Sequence, residues 1–225
     1  MADQDPHSQQ ILLFFAAPTT KTNQRTSTVQ EWANDILVQV KSSLNTPNNS
    51  GPVALLYQSP EESILLLEAV TQEDVYNLEK TLKDFKFSQP TSSRLYERFP
   101  PQLQDSSFVS QLAHIASESP HILVSVGMTP SSENEADFNK WYNDEHIPML
   151  SRAPGWIYSR RYRLLASGDN APQYLAIHGW ENDLSFASES YKEAVSTPWR
   201  MAVVGNVIAR ERRDATFVQE VKGAA

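Results

Sequence analysis

A glutamate beside a histidine, Glu145-His146, and a second histidine, His178, are the residues of this chain best suited to moving a proton. Imidazole titrates near neutrality, so a positioned histidine can serve as general base or acid, and a neighbouring carboxylate can hold or polarise it. The structural alternative has His146 bonding the last carbonyls of its helix and Glu145 pairing with an arginine. Adjacent helical residues point about 100° apart, so the two side chains need not touch. Both lie in the stretch FNKWYNDEHIPMLSRAPGW, Phe138 to Trp156. At 3.6 residues per turn Phe138, Trp141, Tyr142, Glu145, His146, Met149 and Leu150 share one face, with Asn139, Lys140, Asn143 and Asp144 opposite. Ionisable groups on an apolar face need hydrogen-bond partners or a cavity that uses them. Pro148 disfavours a helical Ile147, which places His146 where a helix loosens, near an opening.

His178 sits on a strand whose alternation puts Tyr174, Ala176, His178 and Trp180 on one face and Leu175 and Ile177 on the other. The aromatic set suits a cavity wall. The preceding strand separates Trp156, Tyr158, Arg160, Tyr162 and Leu164 from Ile157, Ser159, Arg161, Arg163 and Leu165. If the Trp156 face lines that cavity, Tyr158, Arg160, Tyr162 and His178 converge on a ligand with phenol or carboxylate groups. Otherwise they bond one another or water. The clusters Arg160, Arg161, Arg163 and Arg210, Arg212, Arg213 are each spread over two sheet faces, as expected of a solvated edge. No metal is expected. Asp144, Glu145, His146 and His178 could assemble a site, but their spacing matches no recognised ligand motif. GxGxxG, P-loop, HExxH and Gly-x-Ser-x-Gly patterns are absent, which removes the main support for nucleotide, zinc-hydrolase and serine-hydrolase readings.

Composition narrows the setting. The formal charge of −8 argues against non-specific nucleic-acid binding, which needs a basic surface to displace counterions. With no cysteine there is no disulfide and no thiolate nucleophile, which fits a cytoplasmic protein. The acidic start MADQDPHSQQ is unlike a secretory leader, and no apolar run approaches the roughly 18 residues of a membrane span.

The elements that must position these groups come in a repeated order. Strand Ile11 to Ala17, helix Val29 to Leu44, strands Val53 to Gln58 and Ile64 to Val70, helix Glu73 to Phe85 and strand Arg94 to Phe99 make one βαββαβ unit. Phe99-Pro-Pro-Gln-Leu-Gln-Asp opens a linker over 100–120 with a short helix, Phe108 to Ala116. Strand Ile122 to Met128, helix Glu133 to Ile147, strands Trp156 to Leu165 and Tyr174 to Trp180, helix Leu184 to Val195 and strand Arg210 to Val218 repeat the order. WxND recurs at Trp32 and Trp141, and in that register Ile36, Leu37 and Ala69 stand where the second half has Glu145, His146 and His178. The expected domains are residues 11–99 and 121–220, the second carrying the site. Each unit leaves one sheet face uncovered, and packing those faces together gives an α+β barrel around a cavity.

The repeat, and above all WYNDEHIPMLSRAPGW, resembles the EthD-like members of the dimeric α+β barrel superfamily, most closely fungal versions with two fused copies. The resemblance implies a pseudo-dimeric barrel and a small-molecule site, commonly without a cofactor, although some members of the superfamily bind haem. It implies a cofactor-free enzyme of secondary metabolism that cyclises, dehydrates or decarboxylates an aromatic or polyketide-like molecule. A cofactor-independent phenol monooxygenase or a non-catalytic carrier are the alternatives. His146, His178 and Glu145 would be catalytic, and Trp141, Tyr142, Tyr158, Arg160, Tyr162, Tyr174, Trp180 and Trp199 would hold the substrate, Trp199 from a lid or rim. The fusion makes a monomer feasible and leaves a homodimer open.

Overall fold

The computed structural model describes residues 11–18, 26–44, 54–69, 72–99 and 121–221. The expected linker over 100–120 and its helix lie outside them. The elements are β1 (Ile11–Pro18), α1 (Thr26–Ser43), β2 (Ala54–Gln58), β3 (Glu62–Ala69), α2 (Gln72–Thr81), β4 (Ser92–Arg98) and β5 (Ile122–Pro130). There follow α3 (Glu135–Trp141), a π-helical turn (Tyr142–His146), α4 (Ile147–Leu150), β6 (Trp156–Ser167), β7 (Tyr174–Trp180), α5 (Glu189–Ala194), α6 (Pro198–Gly205) and β8 (Val207–Val221). The eight strands pair antiparallel throughout and close into a barrel in the order β1-β3-β2-β8-β5-β7-β6-β4.

Strand β1 shows why its sequence is continuously apolar. Leu12, Phe14 and Ala16 point into the barrel, while Ile11, Leu13, Phe15 and Ala17 pack against Trp32, Ile36, Leu37 and Val40 of α1 and Leu78 of α2. Both faces are covered, so alternation disappears. The barrel interior is filled by Phe14, Leu55, Tyr57, Leu66, Tyr96, Tyr158, Tyr162, Ile177 and their neighbours. Eight strands leave just enough room for side chains. The expected barrel-enclosed cavity is therefore a packed core.

One helical segment differs from expectation for local reasons. The helix expected over 184–195 is split at Ser188, whose side chain accepts from the Tyr191 amide and so caps α5. The stretch Thr197-Pro198 then starts α6, with Thr197 as cap and Pro198 in the first turn, where its missing amide proton costs nothing. On the inward parity of the strands, next to Phe14, buried Arg94 binds Asp169 (3.0 Å) and Glu211, and Arg213 binds Glu62 (3.1 Å), tying β3, β4 and β8 together.

Candidate functional site

The helix carrying His146 is not uniformly α-helical. Pro148 has no amide proton to donate to the Asp144 carbonyl, and its ring crowds that carbonyl. The chain widens just before it: the Ile147 amide bonds back five residues to Tyr142. A π turn brings residues i and i+5 into line, where an α-helix would splay them. Trp141 and His146 accordingly stack, with ring centroids 4.4 Å apart and planes 23° from parallel. The Tyr142 ring meets His146 edge-on at 5.4 Å.

The same turn directs Glu145 elsewhere. Its Oε1 accepts a 2.5 Å hydrogen bond from Thr197 Oγ1, and Thr197 Oγ1 itself accepts from the Arg200 amide. Glu145 thus holds the start of α6, and no hydrogen bond joins it to His146.

Beneath the helices, β5, β7 and β8 contribute one parity of side chains: Val124, Val126 and Met128, then His178 and Trp180, then Arg210 and Arg212. His146 and His178 face each other with ring centroids 6.2 Å apart, nearly perpendicular. His146 Nδ1 lies 3.3 Å from the Ala194 carbonyl, which can only accept, so Nδ1 carries the proton and Nε2 keeps a lone pair. His178 Nδ1 is 2.7 Å from Ser159 Oγ, which also accepts from the Trp156 indole (3.0 Å). Burial pushes both imidazoles down to about 3. Arg200 and Arg161 push His146 further down against the Ala194 bond, and His146, Arg212 and Arg161 do the same to His178. Both rings are neutral at pH 7.

These groups surround a cavity of about 40 Å³, completed by Trp141, Tyr142, Leu150, Tyr191, Val195 and Arg200. Such a volume holds roughly one or two waters, or the reacting group of a larger molecule. Exposed Arg210 and Arg212 stand at its solvent side.

Of the expected site residues, the structure gathers His146, His178, Trp141, Tyr142 and Trp180. It does not bring Tyr158, Arg160 or Tyr162 to them. Strand β6 has an irregularity between Trp156, opposite Trp180, and Tyr158, opposite Gly179, which inverts the alternation. Ser159 therefore faces the helices beside His178, while Tyr158 and Tyr162 point into the barrel and Arg160 is in register with inward Ile177. Tyr174 lies on the helix side but donates to Glu135 (2.5 Å) and accepts from Asn139 (3.3 Å), away from the cavity. Trp199 clips α6 to α3 through Asp137 (3.1 Å). The expected solvated edge is also corrected: Arg161 is only 2% exposed, its guanidinium 4.3 Å from the Tyr142 ring centre, with Phe99, Phe138 and Tyr174 around it, and bonded to Asn139 (2.5 Å). Among the polar residues that line the cavity, sequence reasoning left Arg200, Arg210, Arg212 and Tyr191 out of the site, and it also left out Ser159, the partner of His178. The shared parity of Arg210 and Arg212 on β8 was a usable signal.

Among the described residues no three histidine or acidic side chains gather as a metal site would require, Asp144, Glu145, His146 and His178 included. A haem, which the resemblance allows on either histidine, does not fit a cavity of this size between rings already packed on Trp141 and Tyr142.

No protein-family model matches the chain, and no curated protein matches its sequence. Among solved structures it is similar to an anthrone oxidase-like protein (12% identity, 96% of this chain and 93% of that one, TM-score 0.55). It is also similar to a Fusobacterium nucleatum protein described provisionally as a monooxygenase (11%, 96% and 94%, 0.53). A mutant chlorite dismutase from Candidatus Nitrospira defluvii superposes comparably (8%, 95% and 93%, 0.53). At these identities the likeness is one of fold, an α+β barrel shared with monooxygenase-like and chlorite dismutase-like proteins.

Proposed function

We propose that this chain is an acid–base enzyme of small-molecule secondary metabolism, which removes a proton from an enolisable or phenolic, aromatic or polyketide-like substrate between His146 and His178. The observation that carries the reading is the perpendicular pair of buried, neutral imidazoles 6.2 Å apart, with the His146 tautomer fixed by the Ala194 carbonyl. A neutral imidazole can take a proton, and burial beside guanidinium groups favours leaving negative charge on the substrate. The enolate or phenolate can then cyclise or expel water. For decarboxylation the order is reversed, since a β-keto carboxylate loses carbon dioxide, the C–C electron pair becomes the enolate, and a proton from water is passed to its carbon through an imidazole. Reaction with dioxygen is the second reading, favoured by the monooxygenase and anthrone oxidase-like descriptions of the structural neighbours.

Two further parts of the reading concern architecture. The strand orders β4-β1-β3-β2 and β8-β5-β7-β6 match, each with helices after its first and third strands, which supports two fused ferredoxin-like units, 11–99 and 121–220, of the EthD-like type. The site would belong to the second unit. The test is deuterium exchange at the acidic C–H of anthrone and of triacetic acid lactone in D2O, with oxygen uptake recorded alongside. Exchange that vanishes in a His146, His178 double variant supports proton abstraction, and oxygen uptake distinguishes monooxygenation from cyclase-type chemistry. Tight binding with no exchange and no turnover would leave a carrier.

A further inference from the structure

The cavity is lined by three arginines, Arg200, Arg210 and Arg212, and by no aspartate or glutamate. Arg212 has a counterion, Asp214 at 2.8 Å. Arg200 and Arg210 have no acid partner among the described residues, and Arg200 is half-buried, with burial and then Arg210 pushing its guanidinium down from the usual value. Like charges gathered at a partly desolvated site repel one another, and their energy falls most when an anion enters. A second, independent observation points the same way. The Trp141 indole lines the cavity, its ring is fully buried, and its N–H meets no acceptor. Buried donors are almost always satisfied, so a ligand oxygen is the natural partner.

From these observations we infer that the substrate carries a carboxylate next to its enol or phenol, of the β-keto acid or salicylate kind. The carboxylate sits at the solvent side, on Arg200 and Arg210, with Arg212 available once Asp214 yields. The hydroxyl enters the enclosed part between the imidazoles, where the Trp141 N–H donates to its oxygen. Guanidinium groups bind carboxylates through paired, charge-assisted hydrogen bonds, so the charge fixes orientation as well as affinity. The inference rests on the reading of this cavity as the working site and adds the charge of its substrate.

The probe pair is salicylate and neutral salicylamide, titrated into the full chain and followed by tryptophan fluorescence, since Trp141 and Trp180 line the cavity. Salicylate should bind at least about 10-fold tighter than salicylamide, and that preference should shrink as salt rises. Arg200→Gln and Arg210→Gln should each cost salicylate about 10-fold and leave salicylamide nearly unchanged. Trp141→Phe keeps the ring and should weaken both ligands several-fold. Asp214→Asn, at an exposed position that poses little risk to folding, should tighten salicylate several-fold by releasing Arg212. Equal affinity for the two probes, or arginine variants that bind as wild type does, would overturn the inference. The His146→Phe, His178→Gln double variant separates it from the catalytic reading: retained salicylate binding with lost exchange supports both readings, and retained binding with full exchange sinks only the acid–base reading. In the wild-type protein, exchange on neutral substrates with no preference for salicylate sinks only the anion site.

Discussion

His146 stacks on Trp141 five residues earlier, 4.4 Å between ring centres, and only the widened turn between Tyr142 and Ile147 makes that contact possible. The ring is therefore a packing element that keeps a lone pair on Nε2, and it is also the proposed base. His146→Phe divides the two roles. It keeps an aromatic ring on Trp141 and gives up the bond to Ala194, at a cost of about 0.5–1.5 kcal/mol in a denaturant melt. Turnover should nevertheless fall by about 10² to 10⁴, the usual contribution of a positioned acid or base. Comparable losses of stability and little loss of rate would make His146 a structural residue.

Stability should depend on pH through the two imidazoles. Folding pushes both from an ordinary value near 6.5 to about 3, so below pH 6.5 the unfolded chain takes up protons that the folded chain does not. Stability is then greatest above pH 6.5 and falls as pH drops toward 3, by up to about 1.4 kcal/mol per pH unit for each histidine. Asp169, which Arg94 and its serine neighbours hold down at about 2 against the opposing effect of burial, adds a loss only at lower pH, below its unfolded value near 3.8. Melts between pH 7.5 and 4.5 should show the slope, and the pair His146→Phe, His178→Gln should flatten it. An identical slope in the double variant would show that the folded rings accept protons readily.

Burial is the main cause that lowers both histidines, and Arg161 should add a smaller effect from outside the cavity. It lowers each of them, is itself pushed down to about 10 by burial, and is held among aromatic rings and Asn139 with no carboxylate bonded to it among the described residues. Arg161→Met keeps much of the volume and removes the charge. The His146 and His178 titrations, read from imidazole carbon shifts, should move upward. Unmoved titrations with an intact fold would confine Arg161 to packing.

Much of the architecture was legible because it rests on periodicity. The seven apolar residues from Ile11 to Ala17 could only be a strand buried on both faces, and the alternation of Tyr174, Ala176, His178 and Trp180 gave the correct common face. What failed depended on single-residue insertions, which periodicity cannot see. The irregularity after Trp156 moved Tyr158, Arg160 and Tyr162 away from His178, and the π turn separated Glu145 from the face of His146. Pro148 announced the second of these, since a residue without an amide proton must disturb the helix just before it. The arginines were misjudged for another reason. Whether Arg210 and Arg212 face solvent or a cavity depends on where the helical layer ends, a matter of tertiary packing.

Glu145 tests how far adjacency in sequence implies chemical partnership. Its carboxylate accepts from the Thr197 hydroxyl at 2.5 Å, and that hydroxyl caps α6 by accepting from the Arg200 amide. Removing the carboxylate should loosen the start of α6 and with it the placement of Arg200 at the cavity. Glu145→Gln retains an oxygen that can accept from Thr197, so it should fold and turn over within a few-fold of the parent. Glu145→Ala leaves Thr197 without its acceptor and should lower stability by about 0.5–2 kcal/mol, the range of a lost helix cap. Because Arg200 then moves with α6, KM should rise in the alanine variant more than kcat falls. A proton-transferring carboxylate predicts a different pattern: Gln would be as damaging as Ala, by about 10² or more in kcat, with stability unchanged. Steady-state kinetics and melts on the two variants decide between a residue that shapes the cavity and one that acts in it.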